Sequence, residues 1–281
     1  LMNPFAIRLL LLLVAFNTHS LLLYAGGINE TTGARSAALG GASVMFVDQW
    51  SASNNPGAIG LINQFSVAVA YESRYFLPEA SLKALAFSAP LGGGSVGIVG
   101  HSFGYSSFNE NRLGVTYARK LADYISLGVQ LNYIQVNIGD VYGQRSAVTG
   151  EIGVLVTPND KIEIGVHLMN PTRSKLADFD DERLPTELEI GASYSFSEKV
   201  KMLGQLDKDL ELPINARFGF EYEPINDFFL RTGFSTLNKS YAFGIGYKWK
   251  GVVLDVSNQW NQQLGFGAAI AIAYTFGNRK Q

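Results

Sequence analysis

Leu264-Gly265-Phe266-Gly267-Ala268-Ala269-Ile270-Ala271-Ile272-Ala273-Tyr274-Thr275-Phe276 alternates without a break. Leu264, Phe266, Ala268, Ile270, Ile272, Tyr274 and Phe276 point one way. Gln263, Gly265, Gly267, Ala269, Ala271, Ala273 and Thr275 point the other. A strict period of two means an extended strand with one apolar face. Glycine and alanine on the second face describe a barrel that meets lipid outside and something small or wet inside.

The same unit recurs back to about Gln64. Fourteen strands are expected, near residues 64–73, 79–89, 94–104, 110–120, 123–135, 145–157, 160–169, 185–196, 199–208, 213–223, 227–236, 240–249, 251–258 and 263–276. In the fifth, Ile125, Leu127, Val129, Leu131 and Tyr133 oppose Ser126, Gly128, Gln130 and Asn132. In the twelfth, Tyr241, Phe243, Ile245, Tyr247 and Trp249 oppose Ala242, Gly244, Gly246 and Lys248. The second is the least regular, because Leu82 to Phe87 mixes its faces. Every second connection is tight, as at Gly92-Gly93, Leu121-Ala122 and Lys250-Gly251, and the others are longer or more polar. Short turns on one side and longer loops on the other are the pattern of an outer-membrane barrel, and an even strand number returns both ends to one side. Aromatic residues near strand ends, among them Tyr71, Phe87, Tyr117, Tyr194, Phe196, Tyr222, Trp249 and Phe276, suit interfacial girdles. A soluble β-sandwich fits less well: it buries apolar faces against each other, almost every strand here also carries a polar and glycine face, and fourteen strands are too many for one sandwich.

The chain has 281 residues, no cysteine and a formal net charge of −2. No basic face points to nucleic acid, and no thiolate metal site or disulfide is possible. At the N-terminus, Arg8 followed by the apolar run 9–16 and a second patch at 21–24 reads as an export signal with cleavage near Ala25. Asn17, Thr18, His19 and Ser20 interrupt the run, so it is too short to span a bilayer as a helix. The expected organisation is a signal peptide over 1–25, a plug over 26–63, a barrel over 64–276 and a tail over 277–281.

The plug segment does not alternate. It runs Gly33-Ala34-Arg35, then Leu39-Gly40-Gly41-Ala42, then Asp48, then Asn55-Pro56-Gly57. Small residues let short helical turns pack closely, and Asn-Pro-Gly is a turn signal. A barrel of this strand number is wide enough to need its lumen filled or gated. These residues resemble the hatch at the start of FadL/OmpP1 superfamily proteins, and more closely their smaller relatives, the PorV/PorQ proteins of the type IX secretion system. Gly57 stands where alanine is usual, and the chain is too short for the long outer loops of the fatty-acid transporters. The resemblance implies a fourteen-stranded barrel in the Gram-negative outer membrane, meeting outer-membrane lipid. It implies an accessory component of protein secretion that binds a translocon subunit or exported cargo. A passive, FadL-like transporter of hydrophobic small molecules such as long-chain fatty acids is the alternative. A narrow general porin is the third reading.

Alternation also places charges inside: Glu151, Glu163, Glu187, Glu189, Lys201, Asp207, Arg217, Glu221, Arg231, Lys248 and Asp255. Mixed signs on adjacent strands read as a network that braces the wall and holds the plug, rather than as the lining of an open pore. His167 shares a face with Glu163 and Gly165 and reads as a hydrogen-bonded filler. The acidic loop with Asp178, Asp180, Asp181 and Glu182 offers oxygen ligands, but it lacks the spacing of a calcium loop. No catalytic constellation is present, so neither an enzyme nor a cofactor or metal is expected.

Overall fold

The computed structural model describes residues 31–139, 143–176, 183–237 and 239–277. The expected signal peptide, the acidic residues Asp178 to Glu182 and most of the tail lie outside them. Among the described residues no helix is long and apolar enough to cross a membrane.

Fourteen strands close into one antiparallel barrel in which each pairs with its sequence neighbours and the first pairs with the last. They are β1 (Ser66–Ser73), β2 (Ser81–Leu91), β3 (Gly94–Gly104), β4 (Phe108–Ala122), β5 (Ile125–Ile138), β6 (Gln144–Asn159), β7 (Ile162–Met169), β8 (Glu187–Ser197), β9 (Val200–Asp209), β10 (Asn215–Ile225), β11 (Phe228–Ser235), β12 (Ser240–Trp249), β13 (Val252–Asn261) and β14 (Gly265–Thr275). Closure leaves no strand edge unpaired, which is what a bilayer demands of a sheet. The end where β1 starts and β14 finishes is called the near end below, and the opposite one the far end. Two near-end hairpins turn in two residues with both φ positive, Gly92-Gly93 at 57° and 78° and Lys250-Gly251 at 46° and 90°. Mirror-image turns of this kind match the twist of the strands they join.

The outer surface is apolar on every strand. Leu131 is 67% exposed, Phe243 63% and Val148 61%, and Ile98, Leu206 and Ile272 are likewise exposed. A surface so covered is stable only against hydrocarbon. Aromatic rings ring both ends. Tyr117, Tyr194, Phe196, Tyr222, Trp249, Tyr274 and Phe276 mark the near end. Tyr71, Tyr133, Tyr241, Trp260 and Phe266 mark the far end. The irregular second strand resolves simply: Leu82 joins Ala84, Ala86 and Ser88 inside, and Lys83 joins Leu85 outside near the far rim. A lysine tolerates that place because its stem reaches along apolar surface while the ammonium stays wet.

The N-terminal segment lies in the lumen. Helix α1 (Ala34–Ala38) packs on β11–β14, helix α2 (Ser51–Asn54) on β2–β4, and the 3₁₀ turn Pro56–Leu61 on β3–β7. Gly40 and Gly41, at φ 69° and 85°, reverse the chain after α1. Asn55 starts the 3₁₀ turn by accepting from the Gly57 amide at 2.9 Å, with Pro56 supplying a preset φ at the first position. The barrel glycines give the plug its room. A Cβ at Gly153 would lie 2.5 Å from Gly57 N, and Gly128, Gly165 and Gly233 also abut plug backbone.

Candidate functional site

The lumen has two unlike halves. Strands β4 to β11 turn charged and amide side chains inward. Strands β14, β1 and β2 turn alanine inward, at Ala269, Ala271, Ala273, Ala68, Ala84 and Ala86. Ala34, Ala37, Trp50, Ala52 and Ile59 of the plug form one apolar cluster with that second half.

On the polar half a belt crosses the wall strand by strand. Arg112 donates to Glu151 at 2.5 Å and to Asn132 at 3.0 Å, and Asn132 donates to Glu151 at 2.9 Å. His167 bridges Glu151, at 3.0 Å, and Glu189, at 3.1 Å. Gln205 donates to Glu189 at 3.3 Å and to Asp207 at 2.7 Å, and Arg217 forms an ion pair with Asp207. Each of these groups is buried or nearly so, and each meets a partner of opposite sign or a hydrogen-bonding amide, the condition under which buried charge is tolerated. The belt then grips the plug. The amides of Ser43 and Val44 donate to Gln205 at 2.7 and 3.0 Å, and Arg217 donates to the Gly41 carbonyl at 3.1 Å. Backbone groups that the short plug helices leave unpaired are satisfied by the wall.

A second cluster lies toward the near end. Arg35 of α1 places two nitrogens on the two oxygens of Glu221, at 3.0 and 2.9 Å, and a third 3.4 Å from Asp48. Arg231 joins Glu221 at 2.6 Å to Asp255 at 2.5 Å. The Arg35 guanidinium sits 4.0 Å above the Phe46 ring, and Lys248 sits 4.7 Å from the Phe229 ring. Burial works against the Arg35 charge, but Glu221 and then Asp48 outweigh it and hold the group above its ordinary value. Burial raises the Asp48 carboxyl, and Arg35 and the Trp50 amide offset this only in part.

The hatch residues are therefore distributed by role. Arg35 and Asp48 carry the ionic contact, and Ala34 faces the apolar cluster. Gly33 lies against Trp50, Gly40 against Phe234 backbone and Gly41 against Arg217. Asn55, Pro56 and Gly57 sit on Gly153 and Gly128, with Asn55 also donating to the Val154 carbonyl at 3.1 Å. Of the inward charges expected from alternation, Glu151, Glu189, Asp207, Arg217, Glu221, Arg231 and Asp255 join the two clusters. Glu163 pairs with Lys201 at 2.9 Å, away from both. Glu187, Glu189 and Asp207 bring carboxylate oxygens within 4.8 Å of one another. Sequence reading passed over Arg112, which shares the inward phase of Gly114, Thr116 and Ala118 and was legible from it. Gln205 carried no such signal, being neutral. Thr32 and Ser53, 3.0 and 3.1 Å from His101 Nε2, carried none either, because only the folded plug brings them to the wall.

Two cavities among the described residues flank the plug. One of about 120 Å³ lies behind α1 toward the near end, between Arg35, Asp48, Trp50, Phe229, Lys248, Val253, Asp255, Ala271 and Ala273. The other, about 40 Å³, opens at the far mouth between Glu72, Arg74, Tyr75, Ser257, Gln259, Gly267 and Ala269. Helix α1 separates them, tied to this wall by one hydrogen bond among the described residues, from Gln259 to the Ala37 carbonyl at 3.1 Å.

The plug depends on close backbone approach. Gly153→Leu is expected to expel the 55–57 turn, since a Cβ alone meets Gly57 N at 2.5 Å and Pro56 Cδ at 2.9 Å. Overpacking of this kind costs about 1–3 kcal/mol. Heat-modifiable gel mobility should still report a closed barrel, while amide exchange at residues 55–60 rises about tenfold. Unchanged exchange there would show that the turn does not need the glycine.

No protein-family profile and no curated protein sequence matches the chain. Its fold is shared with solved structures. The toluene transporter TbuX of Ralstonia pickettii superposes with a TM-score of 0.67 at 16% identity, over 88% of this chain and 99% of that one. The toluene transporter TodX of P. putida gives 0.65 at 14% identity, over 89% and 100%. A Pseudomonas aeruginosa FadL homologue gives 0.64 at 12% identity, over 90% and 99%. At such identities the likeness is one of architecture: a FadL-like barrel of fourteen strands. The expected kinship with PorV/PorQ proteins gains no support from these structures.

Proposed function

We propose that this chain is an outer-membrane conduit for small apolar molecules, closed in the present conformation by its N-terminal plug. The observation that carries the reading is the division of the lumen. Charged strands grip the plug, while an alanine-lined face runs from the far-mouth cavity to the cavity behind α1 and holds the helix almost wholly by apolar contact. Along its alanines that face offers a hydrocarbon apolar contact, while ion pairs stand in each cavity wall, Glu72 with Arg74 at the far one and Arg231 with Asp255 at the near one. Similarity to two toluene transporters adds support for the class of solute. Size narrows it further. A cavity of about 120 Å³ approaches in volume, though not in its charged lining, the engineered apolar cavity of about 150 Å³ that takes benzene.

The reading predicts that cells with a lipopolysaccharide outer membrane take up labelled toluene several-fold faster when they carry the barrel than when they do not. Equal uptake would count against it. The secretion-accessory reading keeps one observation in its favour, a lumen filled and locked by ion pairs on half its wall. It predicts co-purification with a large envelope protein in mild detergent, together with no toluene uptake.

A further inference from the structure

The two cavities meet the same pair of strands one inward step apart. Ser257 and Ala269 line the far cavity, and Asp255 and Ala271, the next inward positions, line the near one. A two-residue step along a strand is about 7 Å. Between them α1 rests on β12, where a Cβ at Gly244 would lie 2.5 Å from Ala38 Cβ and 3.3 Å from Ser257 Cβ. Ser257 is 2% exposed, and among the described residues its hydroxyl has no hydrogen-bond partner. Ala38, Gly244 and Ala269 lie around it, and a buried hydroxyl without a partner is uncommon and unfavourable. It stands on the alanine-lined face, at the point a solute has to pass when α1 yields.

We propose that Ser257 is the specificity-determining group of this passage, and that it favours a small aromatic ring bearing one hydroxyl over the bare hydrocarbon. The inference rests on the conduit reading and deepens it. The walls supply the rest of the recognition: Trp50 and Phe229 offer ring faces in the near cavity, and Ala269 and Ala271 leave room for a flat molecule. A single hydroxyl on the solute pairs with the Ser257 hydroxyl, either one donating.

Phenol and toluene are the probes. Equilibrium dialysis of each against the full-length barrel in lipid nanodiscs, with empty discs as blank, measures binding. Uptake into cells with a lipopolysaccharide outer membrane measures passage. In Ser257→Ala the affinity ratio of phenol to toluene is expected to fall about five-fold, the effect of one neutral hydrogen bond, with toluene unchanged. Gel mobility before and after heating confirms that the variant barrel is closed. An unchanged ratio, or an equal loss for both solutes, overturns the role of Ser257 and leaves the conduit standing. Phenol binding that needs Ser257 but is accompanied by no uptake keeps the site and removes the conduit. Absence of phenol binding to the wild-type barrel overturns the Ser257 proposal, and absence of toluene uptake as well removes the conduit with it.

Discussion

A barrel lacking residues 32–63 is expected to fold, insert and conduct ions, where the intact protein holds a closed lumen. The strand ladder owes nothing to the plug: every strand pairs with two neighbours, and β1 pairs with β14 from Ser66↔Thr275 to Ser73↔Ala268. Hydrogen bonds within the wall are the ones a bilayer requires. Internal wall pairs also survive the deletion, Arg112 with Glu151 and Arg231 with Asp255. What disappears is the filling. Eight-stranded barrels fill their interior with side chains, and barrels of 16–18 strands leave a water channel. Fourteen strands whose inward residues include Gly128, Gly153, Gly165, Gly233 and the alanines of β14 cannot fill theirs. Gln205 and Arg217 then exchange plug backbone for water at little cost. Planar-bilayer recording should show stepwise conductance for the deletion and none for the intact protein. A deletion variant as silent as the parent would mean that some other part of the chain seals the lumen.

Arg35→Met should loosen the plug more than any other single change. Arg35 meets both oxygens of Glu221, approaches Asp48 and stacks over Phe46, so one substitution removes a fork, an ion pair and a cation–π contact. Removing one partner of a buried pair costs about 3–5 kcal/mol. Arg231 stays on Glu221 at 2.6 Å, which puts the loss at the low end. About 3 kcal/mol corresponds to roughly a hundredfold in the population of undocked plug. Asp48, already raised by burial, loses the guanidinium that opposes the rise and protonates more readily. Arg35→Lys keeps charge without the fork and should fall between the two. Adding Asp48→Asn to Arg35→Met removes the carboxylate left without its guanidinium and should recover part of the loss. Hydrogen exchange at the amides of 36–44, supported by bilayer leak, measures all three. Protection indistinguishable from the wild type in Arg35→Met would show that Gln205 and Arg217 hold the plug unaided.

The wall was legible because lipid enforces alternation. Residues 94–104 and 240–249 were read to the residue as β3 and β12, and the other strands within three. The errors are at ends, where turn residues extend the ladder, as in β13, which continues to Asn261 rather than stopping at 258. Phase also placed the inward charges, since a carboxylate two residues from a glycine on one strand shares its face. Phase could not say who pairs with whom. Glu221 and Glu163 look alike in sequence, yet one holds Arg35 of the plug and the other Lys201 of the wall.

Read alone, the sequence determined a closed lipid-facing sheet with a small-residue segment ahead of it, because period two and hydrocarbon contact are local properties of each strand. Only the tertiary structure decided that the lumen has an alanine half and a charged half. It also decided that α1 lies against the alanine half with a cavity on either side, and that Ser257 lines the far one with no partner among the described residues. Those facts depend on which inward positions of strands far apart in sequence come face to face with a plug that has no periodicity of its own, and no local pattern encodes such a meeting.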